Sequence, residues 1–185
     1  MKLTSIFTGI VTVLATSAIA SPITKNVKRD ASEVAETVKT ISTGVEELTA
    51  TVNGYTGQIS TALKIQLGTS KITSSLEDAI EQTQESPSFT QEESSTIALG
   101  FIELQPKITT VLDALISKKD VFQKGVFGII PLTWLVKLNL DKQQELSAQL
   151  GEEVVKKLTP DFASLAPLIN DKIAADFARA VEAFS

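Results

Sequence analysis

The 185-residue chain carries 22 acidic against 17 basic residues, a net charge of −5, and contains neither histidine nor cysteine. Without imidazole or thiol it has no Ser-His-Asp or Cys-His constellation and no disulfide, and an acidic balance without a basic stripe excludes a nucleic-acid footprint. Stability must therefore come from an apolar core, unless a ligand or partner contributes.

Met1–Ala20 reads as a secretory signal peptide: Lys2 supplies the positive start, Leu3–Leu14 is mostly apolar, and Ala18-Ile19-Ala20 is a small-x-small cleavage site. Lys28-Arg29 then closes a polar, proline-containing stretch, so residues 21–29 read as a propeptide ending in a dibasic site. The folded domain is expected over residues 30–185, where all 22 acids remain with 13 of the basic residues, a net charge of −9. The predicted destination is extracellular, with the cell wall as an alternative resting place. No transmembrane segment, Asn-x-Ser/Thr site or lipid-anchor tail is expected in the mature chain.

The first apolar stripe, Val34, Val38, Ile41, Val45, Leu48, Val52, Tyr55 and Ile59, alternates steps of four and three, the period of one helix face. Asn53-Gly54 marks a turn, although the same phase crosses it. A second helix is expected over about Thr56–Thr83 on Ile59, Leu63, Ile72, Leu76 and Ile80, with a break at Gly68. Ser86-Pro87-Ser88 is a loop, after which Thr90 and Glu93 have the spacing of a capping box.

A third stripe runs through Ile97, Phe101, Leu104, Ile108, Val111 and Leu115 to Phe122, with Pro106 placed to kink or end it. Leu138, Leu146, Leu150, Val154 and Leu158 continue a fourth face through Asp141–Lys157. Thr159-Pro160 starts the last helix, since Thr can cap and Pro is tolerated at the first position. Phe162, Leu165, Ile169, Ile173, Phe177, Val181 and Phe184 follow in phase, with an early bend at Pro167. No segment alternates as a half-buried strand would. The fold class is therefore all-α, a single-domain antiparallel bundle of about five long amphipathic helices, some kinked.

Between the third and fourth faces lies the most apolar run of the mature chain, Val121–Leu140, with the sole tryptophan, Trp134. Gly125, Gly128 and Pro131 break it, so it is too interrupted to cross a lipid bilayer. It is expected to form a buried bend near the centre of the fold.

Little of the remaining chemistry points to catalysis. The pairs Glu46-Glu47, Glu92-Glu93 and Glu152-Glu153 are adjacent in sequence and so diverge on a helix, and no loop repeats oxygen ligands as a calcium site requires. No cofactor or metal is expected. A hydrophobic polymer surface, or a fatty acid or lipid, is the expected partner, with a structural wall protein as the alternative. The predicted contacts are Phe101, Phe122, Phe127, Ile130, Trp134, Leu138 and Phe177, with Lys118, Lys119 and Lys124 as basic groups for a headgroup.

Several segments in order carry a resemblance. They are the leader and dibasic junction, the first helix Asp30–Thr51, Lys118-Lys119-Asp120-Val121-Phe122, the Leu146–Leu150 continuation, and Ile173-Ala174-Ala175-Asp176-Phe177-x3-Val181. Together they resemble the fungal hydrophobic surface-binding protein A family, which includes cell-wall galactomannoproteins. The resemblance covers nearly all of residues 30–185 and implies a secreted five-helix domain. It further implies adsorption to hydrophobic surfaces, recruitment of a polyester-degrading enzyme, association with cell-wall glycans, or capture of fatty acids in a hydrophobic tunnel. It transfers no individual binding residue.

Overall fold

A computed structural model describes residues 31–185; the signal peptide and propeptide expected before them lie outside the described residues. The first stripe folds as expected into α1, Ala31–Asn53, with Val34, Val38, Ile41, Val45, Leu48 and Val52 all buried. Each such side chain contributes roughly 1.5–3 kcal/mol by leaving water. Gly54 and Tyr55 close the helix by donating to the carbonyls of Ala50 and Val52.

The second helix, α2, Ile59–Glu85, runs through Gly68 without a break and buries Ile65, Thr69, Ile72, Leu76 and Ile80. Ile59 and Leu63 lie on its exposed side, contrary to the expected stripe. Thr69 and Ile65 take the core positions because they share the phase of Ile72 and Leu76, which Leu63 does not. Thr90 and Glu93 form the expected reciprocal capping box at the start of α3, Gln91–Ser117, which continues through Pro106. A one-turn helix, α4, Lys119–Lys124, leads into a tight turn, and α5, Thr133–Lys157, follows.

The predicted last helix is divided into α6, Pro160–Ala163, and α7, Ala166–Ala183. Pro167 stands at the start of α7, where a missing amide costs nothing, so it begins a helix instead of bending one. Thr159 does not cap α6 with its side chain; its hydroxyl donates to Gln91 Oε1 at 2.9 Å and ties α6 to the start of α3.

Side-chain contacts fix the helix directions. Asn139 donates to Gln66 Oε1 at 2.9 Å, Gln143 to the Thr69 carbonyl and Lys157 to the Gln84 carbonyl. The numbers rise together, so α2 and α5 run parallel. Lys107 reaching Ser42 and Glu46, and Thr109 reaching Asp176, align α1, α3 and α7 in the opposite sense. Successive long helices are thus antiparallel, while the spatial order α1, α2, α5, α7, α3 closes a ring in which each helix packs on two others.

Polar groups are buried at Asp176 on α7 and at Tyr55 in the loop between α1 and α2. Asp176, almost fully buried, accepts from Thr109 Oγ1 at 2.6 Å, Lys172 Nζ at 2.9 Å and Arg179 Nη2 at 3.3 Å. Tyr55 is 0 % exposed, and its hydroxyl has no hydrogen-bond partner among the described residues. Burial pushes the phenol above its ordinary pKa. Because a buried unpaired hydroxyl costs about 1–3 kcal/mol, Tyr55→Phe is expected to raise the urea-unfolding midpoint; a lower midpoint would show that the hydroxyl is satisfied.

Candidate functional site

Small residues at one level of three helices open a cleft in the wall of the ring. Ala98 on α3, Gly151 on α5 and Ala166 on α7 line a space of about 100 Å³ with Leu99, Phe101, Ile102, Val154, Val155, Leu158, Phe162, Leu165 and Ile169. Among the described residues, Ser95 and Asn170 are its only polar side chains. A Cβ built on Gly151 would lie 2.8 Å from both amide heteroatoms of Asn170, so glycine is what lets that side chain lie against α5.

Behind the cleft, the axis of the ring holds a second space of about 30 Å³. All five long helices contribute to it, through Ile41 and Val45, Ile72 and Leu76, Leu104 and Ile108, Ser147 and Leu150, and Ile173 and Phe177. Phe101 and Asn170 line both spaces and form the partition between them. At that size the axial space has room on the order of a single water, against the roughly 300–1,000 Å³ of a ligand pocket. An acyl tail could enter only with displacement of these side chains. The groove between α1 and α3 is larger, about 780 Å³, but it is open and bordered by charged side chains of both signs, Glu36, Glu92, Glu93 and Glu103 with Lys39 and Lys107.

The predicted contacts are distributed over three places. Phe101 and Phe177 meet at the axial space. Phe122 is buried elsewhere, stacked on Tyr55 with ring centroids 4.8 Å apart and edge-on to Phe184 at 6.0 Å. Phe127, Ile130, Trp134 and Leu138 are exposed at the opposite end of the bundle from the cleft. The predicted lysines also lie at that end: Lys118 donates to the Tyr55 carbonyl at 3.1 Å, and Lys119 and Lys124 belong to α4. Counted along α3 at 1.5 Å per residue, the nearest of them, Lys118, is about 30 Å from Ala98. They cannot serve a headgroup at the cleft mouth.

The expected buried bend is therefore corrected. Val126 and Ile130 exchange backbone hydrogen bonds of 3.1 and 3.3 Å across a tight turn. Gly125, Phe127 and Gly128 all have positive φ, at 64°, 55° and 69°. The turn closes so tightly that only Val126 of its apolar side chains points inward; Phe127 is 76 % exposed and Ile129 79 %. Trp134 follows in the first turn of α5, 64 % exposed. Its face is opposite Val136 and Leu140, which enter the core. Apolar density in the sequence marked this segment but carried no sign of which way it points.

The cleft residues missed by sequence reasoning, Ala98, Gly151, Ala166 and Asn170, had one available signal. They are small or polar positions within otherwise bulky helical faces, and such positions reveal a cleft only once the helices are placed beside one another.

Among the described residues no helix is long and apolar enough to cross a membrane, and no group of three or more Asp or Glu side chains is arranged to hold a metal. Similar folds occur in solved structures. Afmp4p, crystallised in complex with palmitic acid, aligns with a TM-score of 0.80 at 24 % identity, over 84 % of this chain and all of its own. Ligand binding domain 2 of the Penicillium marneffei MP1 protein, complexed with multiple arachidonic acids, gives 0.76 at 24 % identity over 86 % of this chain and 98 % of its own. Domain 1 of the same protein, complexed with arachidonic acids, gives 0.73 at 22 % identity over 81 % and 95 %. No match is found among curated proteins. The profile of hydrophobic surface binding protein A matches residues 31–156, most of the chain, and with the closed helical ring it establishes that this chain belongs to the hydrophobic surface binding protein A family.

Proposed function

We propose that this is an exported, non-catalytic protein that takes the tail of a long-chain fatty acid or lipid through the α3–α5–α7 cleft into the axis of the ring. The observation that carries this reading is the shared partition: Phe101 and Asn170 alone line both the cleft and the axial space. Rotation of the Phe101 ring would join an apolar mouth to an axis bounded by every long helix. Each methylene that leaves water there contributes about 0.8 kcal/mol, and Ser95 and Asn170 offer the polar contacts at the mouth. The fatty-acid complexes of Afmp4p and the MP1 domains support the reading, since their fold is the one found here.

Filling the mouth tests this proposal. Ala98→Phe is expected to weaken palmitate binding by tenfold or more in titration calorimetry, while the circular dichroism spectrum stays helical. Unchanged affinity would remove the cleft from the binding path. Adsorption to an apolar polymer is a second reading, favoured by the exposed residues at the other end of the bundle and testable by depletion of the protein from solution over polymer beads.

A further inference from the structure

We infer that the end of the bundle opposite the cleft is a docking surface for an anionic lipid bilayer. It consists of the Gly125–Pro131 turn, the first turns of α5 and the start of α2. Phe127, Ile129, Ile130, Trp134 and Leu138 are exposed there, and so are Ile59, Leu63 and Leu67 on α2. The 2.9 Å hydrogen bond between Asn139 and Gln66 brings α2 and α5 to the same level, so the two rows belong to one end.

Charge selects the partner. Over residues 51–67 and 117–140 there are five lysines, Lys64, Lys118, Lys119, Lys124 and Lys137, against one acid, Asp120. The end of α7, placed here by the Phe122–Phe184 contact, adds Glu182. Lys118 is engaged by the Tyr55 carbonyl and Lys137 by Asp141, which leaves Lys119 and Lys124 on α4 beside the apolar turn and Lys64 on the exposed side of α2. This is a cationic end on a chain with an acidic surplus. A bare apolar polymer has no use for that charge; an anionic headgroup layer over acyl chains matches both features. Lysine stems run along apolar surface while their ammonium groups stay among headgroups, and tryptophan favours that interface.

The backbone adds an independent observation. Phe127 holds φ at 55°, a conformation that costs a bulky residue roughly 1–2 kcal/mol and glycine nothing. Its side chain, 76 % exposed, recovers little burial inside the protein to offset that strain. Burial in an acyl layer would recover it.

Trp134 is the only tryptophan, so its fluorescence reports on this surface alone. Mixing the protein with vesicles of phosphatidylcholine and phosphatidylglycerol in equal parts should shift the emission to the blue, and acyl-brominated lipids should quench it. Phosphatidylcholine vesicles alone should bind far less, and salt should weaken the binding. Lys119→Gln with Lys124→Gln should lower affinity about 30-fold at low salt. Phe127→Gly with Ile129→Ser should abolish the quenching and leave the thermal melt unchanged or raised, because neither side chain packs in the core and glycine relieves the turn. Palmitate binding should survive in both variants, which separates this surface from the cleft. Equal, salt-insensitive binding to both vesicle types would overturn the inference. So would a blue shift that depends on protein concentration without vesicles, which would identify a second copy of the chain as the occupant.

Discussion

Phe122→Ala is expected to destabilise the fold by about 3–5 kcal/mol, the cost of removing a fully buried aromatic ring. Its ring is 1 % exposed between Tyr55 and Phe184, so it joins the α1–α2 loop, α4 and the end of α7. Its carbonyl accepts from Leu132 at 2.9 Å and anchors the chain as it enters α5. No single neighbour can move in to fill the space without dragging a helix end with it. At about 2–4 °C per kcal/mol for a domain of this size, the thermal midpoint should fall by roughly 6–20 °C. A shift under a few degrees would mean that the tip closes over the cavity.

The second large effect is expected at Asp176, where Asp176→Ala should cost about 2–3 kcal/mol at pH 7, within the range for hydrogen bonds to a charged group. Burial by itself would raise the carboxyl's pKa; the hydrogen bonds from Thr109, Lys172 and Arg179 outweigh it and hold the group below its ordinary value. A folded-state pKa below the unfolded one gives stability that is present above the unfolded value, near 3.9, and lost as pH falls through the folded value. The wild-type advantage over the variant should therefore be constant near neutrality and shrink below about pH 4. Paired urea titrations across that range would measure it, and an advantage that persists undiminished well below the folded value would contradict the assignment.

What could be read in the sequence followed from local periodicity. The α1 stripe is regular because its whole length faces one core, and the Thr90–Glu93 box is legible because both partners lie within one helical turn. Asp176 and Thr109 are far apart in the chain, as are Gly151 and Asn170, and no local pattern announces such meetings. Ile59 and Leu63 illustrate a further difficulty: a plausible phase can be continued across Asn53-Gly54 onto the wrong face. The candidate site divides in the same way. Phe101 and Phe177 were accessible as aromatic members of stripes, whereas the cleft depends on the level at which Ala98, Gly151 and Ala166 coincide. Trp134 and Phe127 were marked by composition, yet their exposure is decided by a turn of three consecutive peptide groups' width.

For the tail binding proposed above, the closed order of five helices has a consequence for how ligand preference would change. Its frame is held by contacts between neighbours around the circumference, as in the Asn139–Gln66 and Thr109–Asp176 pairs. The side chains that point along the axis, among them Phe101, Leu104, Leu150 and Phe177, occupy one shared volume. Exchanging a long one for a short one enlarges that volume without altering any circumferential pair, so under the tail binding proposed above the chain length of the guest would drift while the scaffold stays constant. Such exchanges are coupled through the common volume, and their effects on binding will depend on the order in which they accumulate.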